Sequence, residues 1–152
     1  MGWFYTASQT AQALTTAVDL MVGTVATDVP VELWGFDIGN TTDLGDAAEE
    51  VLLIGVYAGV STTGVGAALT EVALHDRAPA NTMTWVGQGT ATTGGNLKHV
   101  IHWNVRQAGP AWIATPETVI RVSAANDPVA FRLLAAPADS ITLTYEALWK
   151  EL

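Results

Sequence analysis

The segment 141–149 constrains the fold more than any other stretch of this chain, because its side chains alternate with a period of two. Ile141, Leu143, Tyr145, Ala147 and Trp149 form one set. They alternate with Thr142, Thr144, Glu146 and Leu148. Segments 129–134 and 29–38 show the same pattern. Successive side chains of a strand point to opposite faces of a sheet, so the pattern predicts strands with one buried face.

Shorter segments rich in β-branched and apolar residues predict further strands, at Val51–Val60, Leu69–Leu74, Thr82–Val86, Val100–Val105 and Thr118–Val122. Turn-forming sequences such as Gly94-Gly95-Asn96 and Asn126-Asp127-Pro128 separate them. Residues 8–27 fit a helix or a strand, and Asp43–Glu50 fits one helical turn. The spacing of short strands and turns predicts an all-β protein, a jelly-roll-like antiparallel β-sandwich.

The charge distribution restricts the partners that this chain can have. Its 152 residues suit one domain, and only 14% of them are charged, against about 25% in ordinary soluble domains. The net charge is −9, and Arg77 is the first basic residue. A chain without clustered cations is not expected to bind nucleic acid or an anionic membrane. A largely neutral exterior instead predicts contacts with copies of the chain or with another protein.

Several features bear on compartment and membrane association. Cysteine is absent, which removes disulfides, thiolate zinc sites and cysteine nucleophiles. The chain has no run of eighteen uncharged apolar residues, and its start lacks the basic region and apolar stretch of a signal peptide. We therefore expect neither a membrane span nor a secretion signal.

The sequence also lacks a convergent catalytic or metal site. His99 and His102 are separated by an odd number of positions, which places them on opposite faces of a strand. Neither a G-x-S-x-G elbow nor a phosphate-binding G-K-[ST] sequence is present. The acidic stretch 37–50 does not have the spacing of a calcium loop, and we expect a solvated loop there. The sequence thus predicts no enzyme, no cofactor and no metal.

Aromatic residues supply the candidate contact sites. Trp3, Phe4 and Tyr5 stand near the beginning of the sequence, where a free chain end would fray unless it packed on something. We expect residues 1–12 to form an N-terminal arm and residues 13–152 to form a single sandwich domain. The arm packs either on its own sandwich or on a neighbouring subunit. Deleting residues 1–8 is then expected to leave the monomer folded and to weaken assembly.

The other tryptophans divide into two groups. Trp112 follows Gly109-Pro110 and is expected in an exposed loop, where it would suit an interface or a sugar-stacking platform. The remaining four lie within or near strand patterns and are expected in the core: Trp34, Trp85, Trp103 and Trp149.

The order of these segments resembles that of a known group of proteins. The resemblance is carried by Thr6–Ala11, Val31–Asn40, Asp76–Pro79, His102–Asn104, Ala114–Glu117, Val119–Val122, Val129–Leu133 and Ile141–Glu146. In strand order and loop placement they resemble the small jelly-roll decoration (cement) proteins of tailed-bacteriophage heads.

The resemblance implies a structural virion protein without catalytic activity. Such a protein would be a homotrimer that binds the major capsid protein on the outer surface of the phage head, after assembly in the host cytoplasm. Two alternatives stay open. One is a carbohydrate-binding β-sandwich module of a phage fibre or surface protein, with Trp112 or Trp85 as its platform. The other is a cupin-type metal enzyme, against which the positions of His99 and His102 argue.

Overall fold

The computed structural model describes residues 2–26, 29–41, 50–60, 66–106, 110–122 and 127–152. Within these ranges the protein is all-β and contains no helix. The described strands are β1 (Trp3–Leu14), β2 (Asp19–Thr24), β3 (Val31–Asn40), β4 (Val51–Val60), β5 (Glu71–Ala73), β6 (Thr84–Val86), β7 (Gly94–Asn104), β8 (Pro110–Ile113), β9 (Ile120–Val122), β10 (Val129–Leu133) and β11 (Ile141–Glu151).

The strands form two antiparallel sheets that pack face to face. Sheet I has the order β5-β1-β11-β3-β8, with β9 also paired to β3, and sheet II has the order β6-β2-β10-β4-β7. Eight of these strands make two four-stranded layers, β1-β11-β3-β8 and β2-β10-β4-β7, between which the chain crosses repeatedly. This is the arrangement of a jelly roll, with β5 and β6 added at one edge of each sheet. The predicted fold class is confirmed.

The alternation in β11 explains its position at the centre of sheet I. Every second residue from Ile141 to Trp149 is at most 1% exposed, while the intervening side chains are half-buried on the outer face. The inner side chains meet those of sheet II, and the ring of Trp149 contacts that of Trp85 in β6, with centroids 5.5 Å apart. Fully burying one such apolar side chain contributes about 1.5–3 kcal/mol, so this strand fixes the two layers together.

The N-terminal segment is a strand of sheet I. Trp3–Leu14 pairs with β11 along its length and with β5 at Tyr5–Ala7. The boundary expected between residues 12 and 13 therefore falls inside β1, and a strand replaces the separate arm. The pairing is interrupted between Gln9 and Gln12, where Ala11 has a positive φ of 49°. Of the alternatives for residues 1–12, the structure has packing in cis.

The other predicted elements differ from the structure mainly in extent. The described part of the ambiguous segment 8–27 includes the end of β1 and all of β2 and contains no helix. Predicted strands 69–74 and 82–86 shorten to β5 and β6, while 100–105 lengthens at its start to become β7. Most of the Asp43–Glu50 segment, for which a helical turn is predicted, lies outside the described residues.

The connection from β5 to β6 crosses from sheet I to sheet II and is held by side chains of other strands. The Glu151 carboxylate accepts hydrogen bonds from the backbone N–H groups of Thr82 and Met83, at 2.7 and 2.9 Å. The Tyr5 hydroxyl donates to the carbonyl of Pro79 at 3.0 Å. These bonds fix the edge of sheet I beside which Leu74 lies.

Candidate docking surface

The aromatic residues singled out from the sequence do not form one surface. Tyr5 is 1% exposed and stacks on Trp149, with centroids 5.8 Å apart, inside the sandwich. Trp3 is half-buried beside His75, at 5.1 Å between ring centroids. Phe4 is half-buried on the outer face of sheet I against Trp34, at 5.6 Å. The alternation of β1 separates them, because neighbouring side chains of a strand point to opposite faces.

The expectation of an exposed loop at Trp112 is wrong. Trp112 lies in β8, pairs with Phe36 and is only 9% exposed. Its ring contacts that of His99, with centroids 5.5 Å apart. Pro110 is the first residue of this four-residue edge strand, and pairing of the strand with β3 places the indole in the core.

Of the four tryptophans expected in the core, three are there. Trp85, Trp103 and Trp149 are each at most 2% exposed. Trp34 is instead half-buried, at an irregularity of β3 where the pairing with β11 shifts by one residue. Its indole N–H donates to the Glu32 carboxylate at 3.1 Å, outside the core.

The histidines do not converge on a metal. In β7, His102 lies between the buried Ile101 and Trp103 and points outward, whereas His99 contacts Trp112 near the other face. In the described part of the chain no three His, Cys, Asp or Glu side chains are grouped as a metal site would require.

A row of side chains crosses the outer face of sheet I from one edge to the other. Backbone pairing aligns Val72 with Thr6, Thr6 with Leu148, Leu148 with Gly35, and Gly35 with Ile113. We call these five residues the outer row. Its two ends are exposed apolar side chains, Val72 at 54% and Ile113 at 67%, and Leu74 beside them is 60% exposed.

The outer row contains a concavity of about 260 Å³. It is lined by Thr6, Gly35, Phe36, Asp37, Leu74, Trp112, Ile113, Glu146 and Leu148. Gly35 forms the depression because it has no side chain, and a Cβ there would lie 3.2 Å from the carbonyl oxygen of Trp112. Pockets for small ligands usually measure about 300–1,000 Å³, so this space suits a single protruding side chain better.

Acidic side chains border the concavity on one side. Glu146 of β11 is paired with Asp37 of β3. Burial, and then the neighbouring Asp37 carboxylate, raise the pKa of Glu146, while a hydrogen bond with the Thr6 side chain lowers it. Two carboxylates side by side make this edge of the concavity strongly negative.

The opposite side of the outer row carries a cluster of mixed charge. Glu32 is 4% exposed and binds Arg121 at 2.9 Å and Lys150 at 3.7 Å. Burial favours a higher pKa for Glu32, but the hydrogen bonds from Arg121 and Trp34 and the charge of Lys150 outweigh it and lower the pKa. This side therefore carries two cations around one carboxylate, in contrast to the Glu146–Asp37 side.

Sheet II carries a second group of exposed apolar side chains on its outer face. Leu53 is 37% exposed, Leu134 37% and Leu97 48%. Leu134 and Leu97 approach each other over Gly55, since a Cβ on that glycine would lie 3.0 and 3.1 Å from them. The sandwich thus presents apolar atoms on both outer faces.

A smaller polar depression of about 140 Å³ lies near the end of sheet II, with Asn96, Lys98, Arg121 and Asp127 in its lining. Its lining mixes both signs of charge, and Arg121 is already bound to Glu32. It therefore offers no preference for a charged ligand.

Comparisons with protein-family models, with curated proteins and with solved structures find nothing that matches this chain. Within the described residues, no helix is long and apolar enough to cross a membrane.

One departure from the alternating pattern marks the outer row in the sequence. Leu148 occupies a polar position in the alternating segment 141–149, where Thr142, Thr144 and Glu146 precede it. Leu148 contributes apolar atoms to the lining of the concavity.

Proposed function

We propose that this protein is a structural virion protein, a head decoration (cement) protein that binds the major capsid protein on the outside of a tailed-bacteriophage head. The observation that carries the proposal is the outer row of sheet I with its concavity. Exposed apolar surface next to a shaped depression is typical of a protein–protein contact. The resemblance of the strand order to decoration proteins supplies the identity of the partner.

The second apolar group, on sheet II, supports the oligomeric part of the proposal. A cement protein has to contact both the shell and its own copies, and a homotrimer needs a contact surface besides the one that meets the capsid. Leu53, Leu97 and Leu134 lie on the face opposite the outer row. The two faces of one sandwich could therefore serve these two kinds of contact.

The carbohydrate-binding alternative loses the residues on which it depends. Trp85 is 1% exposed and Trp112 is 9% exposed, so neither ring presents a face to a sugar. The half-buried Trp34 packs its ring against Phe4 and uses its indole N–H on Glu32. No observation favours this alternative over a protein contact.

The test has two parts. Light scattering of the purified protein is expected to give a mass three times that of the 16.0 kDa chain. Expanded capsids of the same phage that lack the protein are then mixed with it and sedimented, and saturable co-sedimentation is expected. Absence of binding to expanded capsids at saturating protein concentration would contradict the proposed function.

A further inference from the structure

We infer that the concavity of the outer row receives an apolar side chain from a protein partner that presents a Lys or Arg beside it, and that Glu146 and Asp37 bind this cation. The identity of this partner rests on the proposed function, under which the apolar side chain and its neighbouring cation belong to the major capsid protein. The concavity and the acidic pair themselves are described by contacts within this chain alone.

The acidic pair indicates a cation because none of the ion pairs in the described part of the chain includes Glu146 or Asp37. Paired residues on one face of an antiparallel sheet have Cβ atoms about 4.5–5.5 Å apart, and like charges at that separation repel. The ion pairs among the described residues use the neighbouring cations elsewhere: Arg121 and Lys150 bind Glu32, and Arg132 binds Asp19. Burial first, and then the neighbouring Asp37 carboxylate, raise the pKa of Glu146.

The apolar part of the partner follows from the shape and lining of the concavity. Its exposed walls are Leu74 and Ile113, and Leu148 and Trp112 contribute further apolar atoms. The volume of about 260 Å³ accommodates one large side chain. Anchors of this kind, an apolar side chain in a pocket with a charged group at its rim, dominate many protein interfaces.

A second copy of this chain fits the same surface poorly. A twofold contact about an axis along the strands would place Glu146 and Asp37 near the same pair of the other copy. A twofold axis along the outer row would place them over Glu32, which already binds the cations Arg121 and Lys150. The chain as a whole carries a net charge of −9, and its first 76 residues contain no Lys or Arg. A complementary cation is therefore expected from a different protein.

An array of random decapeptides, probed with the purified full-length protein, tests the inferred chemistry without any capsid. Bound peptides are expected to be enriched in sequences with Leu, Ile, Phe or Met beside Lys or Arg. The double variant Asp37→Asn with Glu146→Gln should lose the preference for Lys or Arg. Enrichment that lacks cations, or a preference that the double variant keeps, would overturn the inference.

Variants of the apolar walls provide the matched comparison. Ile113→Asp should weaken binding of the selected peptides by about tenfold or more, the size of a hot-spot loss. Leu152→Asp makes the same change at an exposed apolar side chain that belongs to neither apolar group, and should bind the peptides as the wild type does. Equal binding by the two variants would overturn the assignment to sheet I.

Capsid sedimentation separates the failure of this inference from the failure of the proposed function. If the wild type, Ile113→Asp and the double variant all bind capsids equally well, the inference is overturned and the proposed function stands. Peptide enrichment as expected, with no capsid binding by the wild type, would support the surface and contradict the function. Dissociation of the oligomer by Ile113→Asp would show a contact between copies and overturn the inference.

Discussion

At the residue scale, Gly23 shows how tightly the two layers are packed. It lies in β2 opposite Trp85, and a Cβ at this position would meet the methyl end of Met83 and lie 2.9 Å from Cζ2 of the Trp85 ring. A flexible methionine end can move, but a buried indole between two sheets cannot move freely. The absence of a side chain at this position is therefore part of the packing of Trp85.

We expect Gly23→Ala to lower the free energy of unfolding by about 1–3 kcal/mol, the usual cost of overpacking a core. Gly39→Ala is the control, because a Cβ at Gly39 of β3 has no heavy atom within 4 Å. The control should change stability by no more than about 0.5 kcal/mol. Urea denaturation monitored by tryptophan fluorescence measures both, and equal losses would contradict the packing argument.

Glu146 illustrates a residue whose ionisation opposes folding. Its pKa in the folded protein is raised by burial and by Asp37. The native state therefore binds the proton more tightly than the unfolded chain, in which a Glu titrates near 4.3. The bound proton therefore stabilises the folded state fully at pH values below the unfolded pKa. This stabilisation is lost as the pH rises through the higher pKa of the folded state.

Glu146→Gln should consequently raise the free energy of unfolding at pH 7, and with it the melting temperature. The gain in free energy should be at most about 0.5 kcal/mol, because the site is partly solvated. The difference from the wild type should disappear in acid, below about pH 4. Glu32→Gln should act in the opposite direction at pH 7, since the pKa of Glu32 is lowered by its partners. Calorimetry across this pH range checks both, and destabilisation by Glu146→Gln at pH 7 would contradict the prediction.

At the scale of elements, the sequence predicts central strands best. The predicted segment Val51–Val60 coincides with β4, and the alternating segments 129–134 and 141–149 contain most of β10 and β11. β4, β10 and β11 each have a paired strand on both sides, so one face is buried along the strand. A period-two pattern in the sequence indicates such a continuous buried face.

Edge and irregular strands escape this reasoning for a physical reason. β8 has only four residues, too few for a period to be visible, and its pairing with β3 decides its conformation. β1 begins with three consecutive aromatics, two of them half-buried, and its pairing is interrupted at Gln9–Gln12. In both cases contacts with distant residues decide the structure, and local sequence does not encode them.

One element-scale contact ties the loop before β7 to sheet II. The Arg132 guanidinium binds Asp19 at 2.7 Å and the carbonyl of Thr92 at 2.5 Å, and it lies 4.5 Å from the centre of the Tyr57 ring. Asp19 is fully buried and also accepts hydrogen bonds from the backbone N–H and the hydroxyl of Thr92. Three segments, β2, β10 and the loop at Thr92, thus meet at a single buried charge.

Arg132→Met should destabilise the protein by about 3–5 kcal/mol, because it leaves the Asp19 carboxylate buried without its cation. Arg121→Met is the control: its side chain is 69% exposed, and Glu32 keeps Lys150 and Trp34 as partners. A loss of about 1 kcal/mol or less is expected there. Chemical denaturation compares the two variants, and similar losses would show that burial of Asp19 does not matter.

At the scale of the whole molecule, the fold class could be predicted and the candidate surface could not. Alternation along single strands is enough to indicate a sandwich. The outer row instead combines Thr6, Gly35, Val72, Ile113 and Leu148, which belong to five strands distant in sequence. Its alignment depends on register shifts in β3, and strand register between distant segments is not visible in sequence.

The fold by itself also leaves the function open, because jelly-roll layers occur in proteins of many activities. What distinguishes this molecule is the chemistry of its two outer faces. Sheet I joins an apolar depression to an uncompensated acidic pair, while sheet II carries apolar side chains around Gly55. These features favour contacts with macromolecules over chemistry on a small substrate.

The N-terminal strand gives the sharpest test of how the whole molecule is assembled. Deleting residues 1–8 would remove Tyr5 and Ala7 from the core. It would also leave β5 without its partner, since among the described strands β5 pairs with β1 alone. Loss of one large core aromatic costs about 3–5 kcal/mol, against a typical total stability of about 5–15 kcal/mol. We therefore expect the truncated chain to lose its near-ultraviolet circular dichroism and its cooperative thermal transition, whereas removal of residues 1–2, which precede β1, should preserve both. A cooperative transition in the longer deletion, with loss of assembly alone, would show that the segment acts as the detachable arm that the sequence predicts.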